Sequence, residues 1–450
     1  MLAAIKVSPW LTMSERTILV WFRNDLRIHD NEILLEAVRK ADKVLPVYCF
    51  DPYYFKKNPS GNSKTGSLRA RFLLESVEGL RNNLRNIGGE LVIRIGNPAE
   101  ILPRLAEQFH INEVYHHREV AHEETSVSEE VEAALWKLKL NLKHFIGHTL
   151  YHKEDLPFPI KDIPDGFAVF KKKVERDSNV RPCIATPEVI QTPNIVDAGE
   201  LPSLKDLGLD EPIDDARATT IFNGGENAAL TQLQQFLLNS IHAGVSKNLR
   251  GTPASASNTS KLSPWLALGC ISLRHVYWEV SKHRSLNNMH HTNPLILDLL
   301  WRDYFRFMFK KHGQKFILPK NEPNEAPEKS PDEDGLFESW KNGETGAPLI
   351  DAIMRELNVT GFINNYSRQI TAGYLVNDLK IDWKKGAAYF EEKLIDYSPA
   401  SNWGNWAFIA GVHDARESRY NIAQRPANDL ETKSEFIDTW LPVLKEIDIK

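Results

Sequence analysis

Hydrophobic and polar positions follow two rhythms along this chain, and the rhythm changes near residue 225. In the first third, short apolar runs recur at Thr17–Phe22, Val44–Phe50, Glu90–Ile95, Glu113–His117 and Leu142–Ile146. Between them, apolar positions fall at helical spacing over Glu32–Ala41, Leu68–Asn86, Pro98–Phe109 and Ser126–Leu140. Short apolar strands separated by amphipathic helices predict a parallel, doubly wound, five-stranded sheet with right-handed crossovers. Residues 151–225 carry eight prolines, from Pro157 to Pro212, and little periodicity. That segment reads as a long connector crossing a surface. Beyond Gly224-Gly225-Glu226 the spacing is helical to the end. The predicted organisation is therefore an α/β domain over 13–150, a connector over 151–225 and an all-helical domain over 226–450. Lys320–Asp334, rich in Pro, Glu and Asp, reads as an exposed loop.

Composition narrows the class. The 450 residues are 42% hydrophobic and 26% charged, which suits a globular chain with a large core. No apolar run reaches membrane-spanning length, and the start lacks a secretory apolar core. The three cysteines, Cys49, Cys183 and Cys270, are far apart and form no C-x-x-C pair. A metal or iron–sulfur site is not expected, and a reduced, cytoplasmic setting is. The net charge of −5 argues against broad nucleic-acid binding but leaves room for a local basic groove. Lys171-Lys172-Lys173 and Lys310-Lys311 are candidate flanks for one, although lysine runs are more often solvated faces.

Several strings carry chemistry. Leu19–Leu34 reads LVWFRNDLRIHDNEIL, a strand followed by a charged turn with an N-cap at Asp30 or Asn31. Thr259, Ser260, Lys261 and Ser263 place hydroxyls and a cation before an apolar helix, which makes either an anion site or plain capping. Asp298 shares a helical face with Trp301 and with Arg302. Arg368 and Asp396 are candidates for a buried ion pair. The Asn402-Trp403-Gly404-Asn405-Trp406 turn brings two large aromatic side chains beside polar groups, suggesting a pocket for a large planar ligand. His117–Glu130 opens an acidic helix.

Together these strings, with TGSLRARFLLESV at Thr65–Val77, resemble the photolyase/cryptochrome family from about Thr17 to Leu444. WRDYFRF and the Asn402–Trp406 turn are similar to its DASH branch. The resemblance implies a photolyase-like α/β domain and a helical FAD-binding domain. Arg250, Thr259, Ser260, Lys261, Leu262 and Ser263 would hold the FAD phosphates. Arg302, Arg368, Asp396, Ser398 and Asn402 would surround the rest of the cofactor, with Asn402 facing flavin N5. Asp298, Trp301, Asn365, Tyr366, Gln369 and Gln424 match DNA-facing positions. Trp406 and Trp383, 23 residues apart, match two inner members of the family's photoreduction relay. Glu123 or Glu124 would bind a folate antenna, 5,10-methenyltetrahydrofolate.

The chain also departs from the family pattern. Asp298 stands where Glu is common, Tyr366 where Arg is usual and Ser398 where a second Asp is common. Ser246 replaces a Tyr, Phe408 a Trp or Tyr, and Ser330 the outer relay Trp. Two functions follow from the resemblance. One is light-driven repair of cyclobutane pyrimidine dimers by a monomeric enzyme, preferably in single-stranded DNA. The other is a blue-light sensor with little or no repair activity. A third expectation is an FAD-binding remnant.

Overall fold

The computed structural model describes residues 15–57, 63–218, 220–242, 259–286, 294–318, 332–412 and 430–441. Five parallel strands form one sheet: β1 (Thr17–Phe22), β2 (Lys43–Phe50), β3 (Val92–Ile95), β4 (Glu113–His117) and β5 (Leu142–Phe145). Their order is β3-β2-β1-β4-β5, so the chain winds outward in both directions from β1. β1 reads TILVWF and is buried along its whole length. Its residues alternate between two cores. Ile18, Val20 and Phe22 join one cluster, and Leu19 and Trp21 join another on the opposite face. A strand covered on both sides needs no polar alternation, which is why it appears as a continuous apolar run.

The helices of this half are α1 (Glu32–Lys40), α2 (Ser67–Asn86), α3 (Pro98–Gln108) and α4 (His122–Lys137). Asn31 caps α1, accepting from Leu34 N. α4 starts four residues before the position its apolar spacing suggests. Glu124 reaches back to the Ala121 N–H and stabilises an extra N-terminal turn, which spacing alone does not register.

The proline-rich segment holds one helix, α5 (Phe167–Asp177). The helical half follows: α6 (Glu226–His242), α7 (Ser263–Ala267), α8 (Leu273–Leu286), α9 (Pro294–His312), α10 (Glu333–Asn342), α11 (Pro348–Thr360), α12 (Asn365–Gly373), α13 (Trp383–Lys393), α14 (Pro399–Ile409) and α15 (Leu430–Trp440). Most of the expected loop at Lys320–Asp334 lies outside the described residues; its end forms the start of α10. One core cluster runs from the sheet face into α7, α8 and α9, through Trp265, Val276, Leu299 and Phe305. A second cluster, around Trp340, Met354, Phe390 and Trp406, belongs to the helical half alone.

The two halves are joined by buried charge. Asp30 accepts from Arg274 Nη2 at 2.6 Å and Nε at 2.9 Å. Arg27 donates to Gly269 O at 2.8 Å. Gly269 has φ +63°, and a methyl there would overlap the Asn24 carbonyl, so only glycine fits this joint. Glu226 accepts from the backbone N–H groups of Ile28 and His29. Asp303 on α9 accepts from Leu150 N and Tyr151 N, each at 2.9 Å.

At the ends of β1 and β4, where the strand order reverses, a polar cluster faces the helical half. Asp25 meets His117 at 2.7 Å, and Glu119 meets Arg306 at 2.6 Å and His148 at 3.3 Å. Burial alone would raise the Glu119 carboxyl, but His148 and Arg306 outweigh it and hold it below the usual range. Glu124 has no such partner. Burial, reinforced by the negative Glu119, pushes it up to about 8. Burial likewise pushes Asp303 up to about 7, against the pull of its two backbone donors.

These shifts set a pH dependence. Carboxyls ionise near pH 4 in an unfolded chain, so Glu124 and Asp303 are neutral when folded and charged when unfolded through the neutral range. Their stabilising contribution is complete below the unfolded value and is lost as pH rises through the folded one. The contribution of these two groups to the thermal unfolding midpoint is expected to fall from about pH 4 to about pH 8. Glu124→Gln, which keeps the neutral shape, should flatten part of that fall in a melting series. An unchanged slope would contradict the assignment.

Candidate functional site

α12, α13 and α14 enclose a cleft lined by Asn365, Arg368, Gln369, Phe390, Asp396, Asn402 and Trp406. Each element is placed by a local rule. Asn364 caps α12 by accepting from Ser367 N, which points Arg368 one turn further along. Asp382 caps α13. Pro399 opens α14 at a position where its missing N–H costs nothing. Gly386 lies where α13 crosses the Trp406 indole; a methyl there would overlap the ring. Gly404 does the same against Phe305.

One wall of the cleft is polar. Arg368 Nη2 donates to Asp396 Oδ2 at 2.7 Å and its Nε donates to Ile363 O at 2.9 Å. The Asp396 side chain is 2% exposed, and its second oxygen, Oδ1, is buried without a partner. A buried carboxylate oxygen left unpaired calls for a donor. Asn402 Nδ2 donates to Ala387 O at 3.0 Å. This bond uses one of the two amide N–H groups and fixes the plane of the amide, whose carbonyl oxygen is an acceptor for a ligand. Ser398 is buried and its carbonyl accepts from Asn402 N. The opposite wall is aromatic, with Phe390 and Trp406 edge-to-face at 5.1 Å. A flat heterocycle carrying both an apolar face and N–H donors fits this donor and acceptor set, and the flavin ring is such a group.

The other expected residues are distributed around the cleft. Lys261 takes a left-handed backbone, φ +52°, and its ammonium donates to Thr220 Oγ1 at 2.6 Å. Burial lowers the Lys261 pKa, and the nearby Glu356 works against that. Ser260 Oγ accepts from Leu262 N at 3.4 Å, and Leu262 is fully buried. Thr259 and Ser260 are half-buried, and the run 259–263 does not line the cleft. Arg302 is committed elsewhere. It donates to the His148 carbonyl, which ties α9 to the sheet half, and to the Leu266 carbonyl on α7. Burial, with the like charge of Arg306, lowers it to about 10. Arg250, Gln424, Ser246 and Ser330 lie outside the described residues.

Asp298 is exposed near the start of α9, and Trp301 is half-buried one turn on. Trp301 meets Phe408 edge-to-face at 5.9 Å. Asn365 and Gln369 line the cleft, while Tyr366 packs against the helical core. Trp406 is buried and contacts Trp340 at 6.3 Å, whereas Trp383 contacts Trp403 at 5.8 Å. Glu123 is exposed and bonds Lys64 and Tyr53, while Glu124 is buried in the polar cluster between the halves, accepting from Asn24 Nδ2 at 3.3 Å. Lys311 is bound to Ile163 O and Asp165, so it is not free for a groove.

Residues that sequence reasoning missed include Tyr397, Phe390 and the polar cluster of Asp25, His117, Glu119, His148 and Arg306. Asp25 and Glu119 follow strands β1 and β4 closely, and acids just past adjacent strand ends of a doubly wound sheet are a readable signal. Phe390 and Tyr397 carry no such mark.

Among the described residues, no helix is long and apolar enough to cross a membrane, and no group of three or more His, Cys, Asp or Glu could hold a metal ion.

Comparison with known proteins agrees with this geometry. Residues 18–191 match the DNA photolyase domain, and residues 295–450 match the FAD binding domain of DNA photolyase. Cryptochrome DASH of Gloeobacter violaceus is 44% identical over 96% of this chain and 87% of its own length. Cryptochrome DASH of Synechocystis is 40% identical over 96% of this chain and 88% of its own length. The crystal structure of a Synechocystis cryptochrome superposes with a TM-score of 0.85 at 38% identity, covering 96% of this chain and 90% of that one. An archaeal photolyase from Sulfolobus tokodaii, solved with two FAD molecules, gives a TM-score of 0.74 at 27% identity, covering 96% of this chain and 91% of that one. The chain belongs to the photolyase/cryptochrome family, with the cryptochromes DASH as its relatives across nearly its whole length.

Proposed function

We propose that this protein uses FAD and blue light to split cyclobutane pyrimidine dimers, preferably in single-stranded DNA. The observation that carries the reading is the cleft beside Arg368. There a buried, half-satisfied Asp396 carboxylate and a pre-oriented Asn402 carbonyl wait for N–H donors. When bound and excited, FAD supplies a one-electron donor to the lesion. The chain's own residues do the rest. Arg368 keeps a fixed positive charge next to the ring site, which favours negative charge there. Asn402 offers its carbonyl as an acceptor, in an amide plane fixed by the bond of one N–H to Ala387 O. Phe390 and Trp406 exclude water from one side. Asp298 and Trp301 would meet the extruded pyrimidines. Extrusion is cheapest from single-stranded or damaged DNA, which supports a single-strand preference.

A second reading is a blue-light sensor with little repair activity. Tyr366, Asp298 and Phe408 favour it, since each departs from the family pattern, the first two at DNA-facing positions. The net charge of −5 also favours it.

Three accessory assignments belong to the same reading. The three free cysteines suit a reducing cytoplasm, and a monomer is expected. A folate antenna would sit where the strand order reverses, with neutral Glu124 as its hydrogen-bond donor. Trp383, the half-buried first residue of α13, would pass electrons inward to the cofactor during photoreduction.

The test mixes photoreduced protein with thymine-dimer oligonucleotide under blue light. Thymine absorbance should recover, with no recovery in the dark and at least roughly tenfold less in Trp301→Ala, given the worth of a base–aromatic stack. No recovery by a protein with a full flavin spectrum would favour the sensor. Trp383→Phe should leave that spectrum intact and slow photoreduction severalfold, followed as bleaching of the oxidised flavin band. Wild-type kinetics would remove Trp383 from the path.

A further inference from the structure

The tightest ring stack in the described structure joins Trp301 to a residue of the connector. Phe167 lies parallel to the Trp301 indole, with centroids 3.6 Å apart and planes 10° apart. Four rings meet the indole among the described residues: Phe167 on its face, Phe305 tilted at 5.6 Å, and Tyr304 and Phe408 at its edges. Its orientation is therefore set by packing, and the parallel Phe167 ring fixes its plane. Phe305 and Tyr304 share α9 with Trp301 and move with it. Phe167 comes from a separate element and acts as an independent reference.

Phe167 is itself held from behind. It meets Tyr304 edge-on at 5.6 Å and Phe170 at 6.5 Å, and Phe170 is fully buried. The turn leading into α5 is stapled to the far end of α9. Tyr304 Oη donates to Asp165 O. Lys311 Nζ donates to Ile163 O at 2.6 Å and to Asp165 Oδ1 at 2.7 Å. A short loop anchored at Ile163 and Asp165 presents Phe167, two residues on, at a fixed height beside Trp301. Phe167 and Trp301 both remain partly exposed, so the stack lies at the surface rather than in the core.

We propose that Phe167 is a positioning residue for the DNA substrate, holding the Trp301 indole in the plane onto which an extruded pyrimidine stacks. The inference rests on the repair reading above and deepens it, because it places part of the substrate site on the segment between the two domains. A base stacks best on a ring whose plane is already fixed, since the ordering cost is met before binding. A Leu at 167 fills similar space but offers no flat face, leaving the indole free to rock. A Tyr restores the flat face.

The test compares wild type, Phe167→Leu and Phe167→Tyr, each with its bound flavin. The first readout is the affinity for a thymine-dimer oligonucleotide relative to its undamaged counterpart. The second is the ¹⁹F NMR linewidth of 5-fluorotryptophan at position 301. Phe167→Leu should keep the flavin spectrum and melting point, lose roughly tenfold in dimer discrimination and sharpen the Trp301 resonance. Phe167→Tyr should restore both. If wild type discriminates and Phe167→Leu discriminates equally, the role of Phe167 is overturned and the repair reading stands. If wild type shows no preference for dimer DNA, the repair reading fails and this role fails with it. A Phe167→Leu protein that loses discrimination while its Trp301 signal is unchanged would also overturn positioning as the cause.

Discussion

Charge removed from water has to be met by charge or by a donor, and that constraint holds the two halves of this molecule in register. Asp30, Glu119, Glu226 and Asp303 are all buried where sheet and helices meet. Each is answered by an arginine, a histidine or a pair of backbone N–H groups. Removing one partner would leave a desolvated charge, which typically costs about 3–5 kcal/mol. Apolar contact alone would let the halves slide. Directional bonds at four separate places hold α6, α8 and α9 to the sheet half, and α9, fixed through Asp303 and Arg306, carries Trp301.

The same rule operates in the cleft with a different outcome. Asp396 is answered once, by Arg368, and its other oxygen is not answered within the protein. Asn402 is answered once, by Ala387, and its carbonyl remains. At the joint Asp30, Glu119, Glu226 and Asp303 are matched within the chain; in the cleft the matching is left incomplete. That contrast separates a structural polar cluster from a binding site more clearly than the identity of the residues does.

Much of this was readable from sequence. The five strands follow directly from apolar runs, because β1 and its neighbours are covered on both faces. The Arg368–Asp396 pair was legible, as was the Asn402–Trp406 aromatic run, although that run is part of helix α14 and not the expected turn. Other parts were not. Spacing cannot show that Arg302 turns away to bind one carbonyl across the joint and another on α7, since Asp298, Trp301 and Arg302 look equivalent on a helical wheel. It cannot show that Glu124 is buried while Glu123 is exposed, one residue apart at the start of α4. Phe167 gave no signal at all, because its meaning comes from a loop anchored by residues on α9 far along the chain. Trp383 and Trp406 have the spacing of relay partners, and spacing does not show that Trp383 meets Trp403 while Trp406 meets Trp340 and Phe390.

The central claim is that Asp396 and Arg368 anchor the flavin ring. It is tested most directly by titrating FAD into flavin-stripped wild type, Asp396→Asn and, as a control on α9, Asp298→Asn. The account predicts that Asp396→Asn weakens FAD binding by about 10- to 100-fold, the worth of a charge-assisted hydrogen bond, while Asp298→Asn binds as wild type does. An Asp396→Asn protein that holds FAD as tightly as wild type would contradict it.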